Sequence, residues 1–302
     1  MEGGVGKSNE QIVTEVATDM LSKLPPAFDI AQIQAKYPTD YFESMNTVLL
    51  QEAVRFRNLT KVVRESLKNI QKAMKGLVVM SAELEDVNNS ILLGVIPKLW
   101  ASKSYPSMKS IGGYFNDLLQ RLNFLNKWAK DGQPVVFWIS GFFFTQSFLT
   151  GCLQNYARKH TIPIDLLGLE FVVLTTKSAG VRPEEGQYTS GLFLEGARWD
   201  IKLNSITESY PRVLYDPMPI IWLKPGERSH FNTASSYECP VYKTASRRGV
   251  LSTTGYFFHY FLANFLSYRH STNFVMSMRI PTNVPEDVWI LKGVAALTSL
   301  PD

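Results

Sequence analysis

The chain has 302 residues, 45% apolar and 19% charged, enough to bury a sizeable core in one domain or two, which excludes an intrinsically disordered polypeptide. Its 31 basic and 27 acidic side chains leave a net charge of +4, too balanced to call for a nucleic acid, so any electrostatic partner has to be sought in local patches. Two cysteines, Cys152 and Cys239, make no disulfide framework and match no metal spacing, and they read as reduced thiols of an intracellular, cytoplasmic protein.

Residues 1–8 carry no apolar signal region, so secretion is not implied, and Asn58-Leu59-Thr60 and Asn88-Asn89-Ser90 read as accidental sequons. Helical spacing then dominates up to about residue 165. Asn9 to Lys23 is a helix that Ser8 or Asn9 can cap and Leu24-Pro25-Pro26 ends. The clearest helix runs from about Ser44 to Lys75. Phe56, Leu59, Val63, Leu67, Ile70 and Met74 recur every three or four residues on one face, Lys61, Arg64, Lys68, Lys72 and Lys75 fall opposite them, and Gly76 is the stop. Further helices are predicted at about Ala82 to Leu93, at Gly113 to Lys130 before Asp131-Gly132, and over Gln146 to Lys159.

Residues 134–151 form a dense apolar block, but Ser140, Thr145, Gln146, Ser147 and Thr150 interrupt it and Gln154 to His160 follows directly. A membrane span wants about twenty predominantly apolar residues, so the block reads instead as a strand or turn entering a buried helix. Beyond residue 165 the pattern becomes strand-like. Trp199, Ile201 and Leu203 alternate with Asp200, Lys202 and Asn204, and Phe274, Met276, Met278 and Ile280 alternate with Val275, Ser277 and Arg279. Met218 to Leu223 is an apolar run between Pro217 and a Pro225-Gly226 turn, Gly168 to Leu174 and Tyr237 to Thr244 have strand composition, and Thr175 to Gln187 is a loop. Several short strands without intervening helices imply an antiparallel sheet or barrel.

Catalytic constellations are thin. Gly6-Lys7-Ser8 ends like a phosphate-binding loop, but the first glycine of that motif falls at Met1 and no strand precedes it, so it reads as a leader before a helix cap. His160, His230, His259 and His270 lack metal-ligand spacing, and no nucleophile elbow appears. Glu83, Glu85 and Asp86, or Glu184 and Glu185, are adjacent carboxylates of the kind that solvated helices and loops produce constantly. Trp199 and Trp222 read as packing residues of a strand core, with a ligand pocket the alternative. The five cations from Lys61 to Lys75 lack aromatic interleaving for base stacking; they form either a solvated face or an attractor for an acidic surface within a Debye length of about 8 Å.

Six blocks stand in the order found in the C-terminal region of dynein heavy chains: Lys103-Ser104-Tyr105-Pro106-Ser107, the apolar block 134–151, Ile162-Pro163-Ile164-Asp165, Gly191 to Trp199, Pro219 to Pro225, and Pro240 to Gly255. The chain resembles that family over nearly its whole length, and the details look most like a single-headed, inner-arm axonemal dynein. The resemblance implies an α+β fold, with a helical subdomain over 1–165 and a small antiparallel β-barrel over 166–302. It also implies a non-catalytic domain that packs on the AAA+ ring modules of the same heavy chain, whose ATP and Mg sites lie upstream, and that modulates ATP-driven, microtubule-based motility in the axoneme of a cilium or flagellum. Intermediate and light chains and microtubules would be met through the full motor, and no cofactor, metal, nucleic acid or membrane is expected here. On this reading the basic face of Lys61, Arg64, Lys68, Lys72 and Lys75 is a contact with the ring, and Arg247-Arg248-Gly249 sits in a block whose wording the family keeps.

One departure stands out. In the resembled family Leu251 to Gly255 passes almost directly to the equivalent of His270 to Phe274, whereas this protein interposes Tyr256 to Arg269, seven of whose fourteen residues are aromatic. The segment has no polar face at helical or strand spacing and is inconsistent with its surroundings, which fits translated intron. The alternative is a real interaction or membrane-touching segment of a stand-alone module.

Overall fold

The computed structural model describes residues 7–176, 179–231, 234–246 and 273–302. They form two units, one of residues 1–37, 49–130 and 302, the other of residues 38–48 and 131–301. The expectations for 256–269 and for Arg247-Arg248-Gly249 lie outside the described residues.

The first unit is helical: α1 (Asn9–Lys23), α2 (Ile30–Lys36), most of α3 (Ser44–Met74), α4 (Ala82–Leu93), the single turn α5 (Lys98–Ala101) and α6 (Ile111–Asp131). Ser8 closes a capping box at the start of α1, its hydroxyl accepting from Gln11 N while the Gln11 side chain accepts from Ser8 N. The predicted stripe of α3 belongs to the core, with Phe56, Leu59, Val63, Leu67 and Ile70 fully buried, as are Val13, Val87 and Leu118 on the other helices. Arg121 is also inside. Its charge is matched by Asp117 at 2.7 Å and its guanidinium lies 3.8 Å from the Tyr105 ring centre, so the buried cation is both paired and stacked. The Tyr114 hydroxyl bonds Ser104 at 2.8 Å, and burial pushes its pKa up to about 12.

Helix α6 begins two residues earlier than its apolar spacing indicates, at a local cap, Ser110, that is itself held from far away in sequence. Ser110 Oγ accepts from Gly113 N, and the Asp302 carboxylate accepts from Ser110 N at 2.5 Å with Lys109 at 3.8 Å. The first turn of α6 has no acid of its own, so Asp302 supplies the negative charge that a helix N-terminus favours. A Cβ on Gly113 would meet Asp302 Oδ1 at 2.1 Å, which explains a glycine at that place in a helix. Hydrogen bonds from Ser110, with Lys109 nearby, hold the Asp302 carboxyl below its ordinary range. Its contribution is therefore full above an unfolded pKa of about 3.9 and is lost as pH falls through the depressed folded value. Asp302→Ala should cost roughly 1 kcal/mol in chemical denaturation. Gly113→Ala should then depend on its background: near neutral in the parent, stabilising by about 1 kcal/mol beside Asp302→Ala, where its helix propensity is no longer offset. A Gly113→Ala effect identical in both backgrounds would remove the coupling.

In the second unit the apolar block resolves into β1 (Val136–Trp138), a 3-10 turn at Ile139–Gly141 and α7 (Thr145–His160). No helix among the described residues is long and apolar enough to cross a membrane. The block's aromatics instead pack on one another, Phe142 lying 4.6 Å and Phe137 4.9 Å from the Phe148 ring. Residues 41–48 lie along α7. Gly151 admits Met45, whose Cε a Cβ there would meet at 2.7 Å, while Asn155 accepts from Ser44 N and donates to Glu43, and Arg158 donates to Ser44 Oγ.

The strands are β2 (Leu167–Val173), β3 (Gln187–Ser190), β4 (Phe193–Glu195), β5 (Ala197–Asp200), β6 (Ser205–Glu208), β7 (Tyr215–Pro217), β8 (Ile221–Glu227), β9 (Ser236–Tyr242), β10 (Phe274–Pro281) and β11 (Ala295–Leu297), with helix α8 (Glu286–Leu291) before the last. The α+β class holds, but the small antiparallel β-barrel over 166–302 is corrected. Among the described residues the strands make a four-stranded sheet ordered β1-β3-β8-β2, a five-stranded sheet ordered β10-β9-β11-β4-β7 and the hairpin β5-β6, none closed on itself. The pairs β1-β3 and β9-β11 are also parallel. Closure fails because β2 and β10, though close, share no ladder, and β1 and β7 are only three residues long.

Three local readings change for identifiable reasons. The alternation from Trp199 to Asn204 stops at Asp200, whose carboxylate accepts from Lys202 N and Leu203 N and turns the backbone, leaving Ile201 and Leu203 exposed and Asn204 at φ +48°. In β10 a bulge between Phe274 and Met276 shifts the inward face, so Val275, Met278 and Ile280 are buried. Pro225-Gly226 is no turn but part of β8. Gly226 sits opposite Gly168 of β2, and the Phe231 ring fills the space both glycines leave. Trp199 is buried, whereas Trp222 is half-buried and donates its indole N–H to Glu185 O.

Candidate docking surface

The predicted basic face belongs to the first unit. Helix α3 turns by about 100° per residue, which places Lys61, Arg64, Lys68, Lys72 and Lys75 within an arc of roughly 80°, opposite the buried stripe. Lys61, Lys68, Lys72 and Lys75 are exposed. Lys61 lies 4.0 Å from Glu65, and Lys68, Lys72 and Lys75 form no ion pair among the described residues. Arg64 differs. It is half-buried and donates to Pro25 O at 2.5 Å, so it fastens the turn after α1 and does not face solvent freely. Arg57, exposed and four residues before Lys61, falls on the same arc and extends it. Carrying the same spacing one step towards the N-terminus would have found it.

The face ends at an unusual tip. Leu77 N bonds Lys72 O and Gly76 N bonds Ala73 O, with Gly76 at φ +68°, the pattern of a Schellman cap. Such caps commonly bury the residue at the Leu77 position against the one at the Lys72 position. Here Leu77 is 73% exposed and Val79 87%, with Val78 and Met80 at 40% each. The four apolar residues are held at the far end by Ser81, whose hydroxyl accepts from Leu84 N and caps α4, a helix that opens with the exposed acids Glu83 and Glu85. A fixed apolar tip thus stands between two cations, Lys72 and Lys75, and two anions.

The other sequence candidates are occupied in ordinary ways. Lys7 pairs with Glu15, and Ser8 is the helix cap already described. Asp86 accepts from Lys98 N, and Glu83 and Glu85 lie on the solvent side of α4. Glu185 takes Lys159 at 3.0 Å and His160 at 2.6 Å; burial opposes its ionisation, but those two partners outweigh it and leave the carboxyl below its ordinary range. Cys152 and Cys239 are buried free thiols whose pKa burial pushes up, the setting of an inert cysteine. No group of three or more His, Cys, Asp or Glu that could hold a metal occurs among the described residues.

Comparison with known proteins accounts for nearly the whole sequence. Residues 1–298 match the family model for the C-terminal domain of the dynein heavy chain. The protein is 56% identical over 300 residues to dynein axonemal heavy chain 3 of Mus musculus, an alignment that takes in 99% of its own length and 7% of that relative. It is 50% identical over 299 residues to dynein axonemal heavy chain 12 of Homo sapiens, covering 99% and 9%, and 48% identical over 297 residues to dynein axonemal heavy chain 1 of Rattus norvegicus, covering 98% and 6%. It thus spans less than a tenth of the length of these relatives. At that identity and coverage, the chain belongs to the family of C-terminal domains of dynein heavy chains.

Proposed function

We propose that this protein is the non-catalytic C-terminal domain of an axonemal dynein heavy chain, where it braces the AAA+ ring of the same polypeptide and tunes ATP-driven, microtubule-based movement of a cilium or flagellum. The observation that carries this reading is the family match over residues 1–298, together with about half identity to three axonemal heavy chains. ATP and Mg belong to the upstream ring, and intermediate chains, light chains and microtubules are met through the full motor. In its details the sequence looks most like a single-headed, inner-arm type.

A brace alters a motor only when its contacts are worth more in one ring state than in another. The basic face of α3, with Lys68 and Lys72 at its centre, is the surface best suited to contact an acidic part of the ring. Reversing both charges (Lys68→Glu with Lys72→Glu) in the full-length motor removes two exposed ion-pair partners worth about 0.5–1 kcal/mol each. Such a change moves a ring-state equilibrium by roughly five- to thirtyfold when both contacts form in one state only. The expected result is altered gliding velocity and force with the domain still folded. Unchanged motility would remove the face from the mechanism, and unchanged motility after deletion of the whole domain would remove the brace.

A further inference from the structure

The tip between α3 and α4 asks for an occupant. Four consecutive exposed apolar residues are a fault in a free-standing surface unless they serve binding. Here they are not a slack loop: a Schellman cap fixes one end and the Ser81 cap the other, so presenting Leu77 and Val79 costs little further ordering on binding. The charges around them narrow the chemistry. Lys72 and Lys75 precede the tip on the α3 side, and Glu83 and Glu85 follow it on α4. An anionic lipid surface would attract the first pair and repel the second, whereas a protein groove can be acidic on one rim and basic on the other.

We propose that Leu77, Val78, Val79 and Met80 form a plug that enters an apolar groove on another part of the dynein heavy chain, a groove with an acidic rim facing α3 and a basic rim facing α4. This rests on the ring-bracing reading and names a contact within it. The source of the groove follows from length: the domain is only 6–9% of its relatives, so most of the protein surface tethered near it, at high effective concentration, is the same polypeptide.

The test is thiol labelling of the full-length motor polypeptide bearing Val79→Cys, read by mass spectrometry of the peptide containing residue 79. Val79 is 87% exposed within the domain, so the plug predicts labelling at least tenfold slower in the native motor than in the urea-unfolded protein, whereas a ratio near one overturns it. Protection that disappears on dilution would point to a second copy and also overturns it. Lys72→Glu with Lys75→Glu, and separately Glu83→Lys with Glu85→Lys, should each restore labelling severalfold. If the first pair abolishes and the second strengthens binding to vesicles containing phosphatidylserine, the surface is a lipid one and the groove is wrong. Failure of the underlying reading looks different: protected Val79→Cys with motility unchanged by deletion of the whole domain keeps the plug and removes the brace. The converse pair of results keeps the brace and removes the plug.

Discussion

Gly186→Ala should destabilise the second unit by about 2–5 kcal/mol. Gly186 has φ +72°, where a side chain costs about 1–2 kcal/mol, and an added Cβ would stand 2.0 Å from Leu223 O and 2.6 Å from Pro225 Cδ. The first obstacle is the backbone of β8 and the second a buried proline of the same strand, so relief requires moving a central strand and adds an overpacking cost of about 1–3 kcal/mol. The position matters because the loop before β3 is fastened at this end. Glu185 is held by Lys159 and His160 through its side chain and by Trp222 through its carbonyl, and two residues beyond Gly186 the pairing of Tyr188 with Trp222 is under way. Urea denaturation of the variant should show a lowered midpoint, and hydrogen exchange should rise first at Gln187, Tyr188 and Thr189. A loss below about 1 kcal/mol would mean that β8 yields where its contacts say it should not.

In the helical half α1, α3 and α4 were legible in the residues because their stops and starts are local, whereas the short α2 and α5 were not anticipated. Ser8 with Gln11, Gly76 after Met74, and Ser81 before Leu84 are local signals, and the bounds of α1, α3 and α4 follow from them. Signals that depend on distant partners were not legible. Nothing near Ser110 announces that Asp302 holds the amide of this cap residue, and nothing in Pro225-Gly226 announces that Gly168 lies opposite and Phe231 covers both. Alternation misled at Trp199 to Asn204 because the side chain of Asp200 can bond the following amides, and that local competition outranks the period of two. In β10 it holds at Met278 and Ile280 and fails at Phe274 and Met276, because a bulge changes parity without leaving a mark in composition.

The candidate docking surface divides the same way. The spacing of Lys61, Lys68, Lys72 and Lys75 places them correctly on the exposed side of α3, since a charge opposite a buried stripe has nowhere else to go. Arg64 fits the same arithmetic and is nonetheless drawn to Pro25 O, an attraction visible only once α1 is packed. The apolar tip at Leu77 to Met80 carries no such signal, since composition does not tell whether four apolar residues in a row are core or surface. Only exposure, next to the hydrogen bonds that fix it, turns them into a surface.

Trp100→Ala should be the most damaging single change in the helical unit, at about 3–5 kcal/mol, a large share of the roughly 5–15 kcal/mol by which domains are stable. Trp100 is fully buried on the short α5, its ring tilted 30° against Tyr114 at 6.4 Å. Its indole N–H donates to Ser66 Oγ at 2.8 Å, and the same hydroxyl donates to Val63 O at 2.9 Å, so one serine joins the tryptophan to the backbone of α3. The two contributions separate by substitution. Ser66→Ala keeps the ring but strands the buried N–H, at about 1–3 kcal/mol; Trp100→Phe keeps most of the apolar volume and leaves the hydroxyl with its Val63 partner, so its cost is the lost bond plus a modest void. Because both singles break the same bond, the double variant should cost less than their sum by about 1 kcal/mol in denaturation midpoints. Strict additivity would mean that Trp100 holds the unit through volume alone, and that the serine at its indole is incidental.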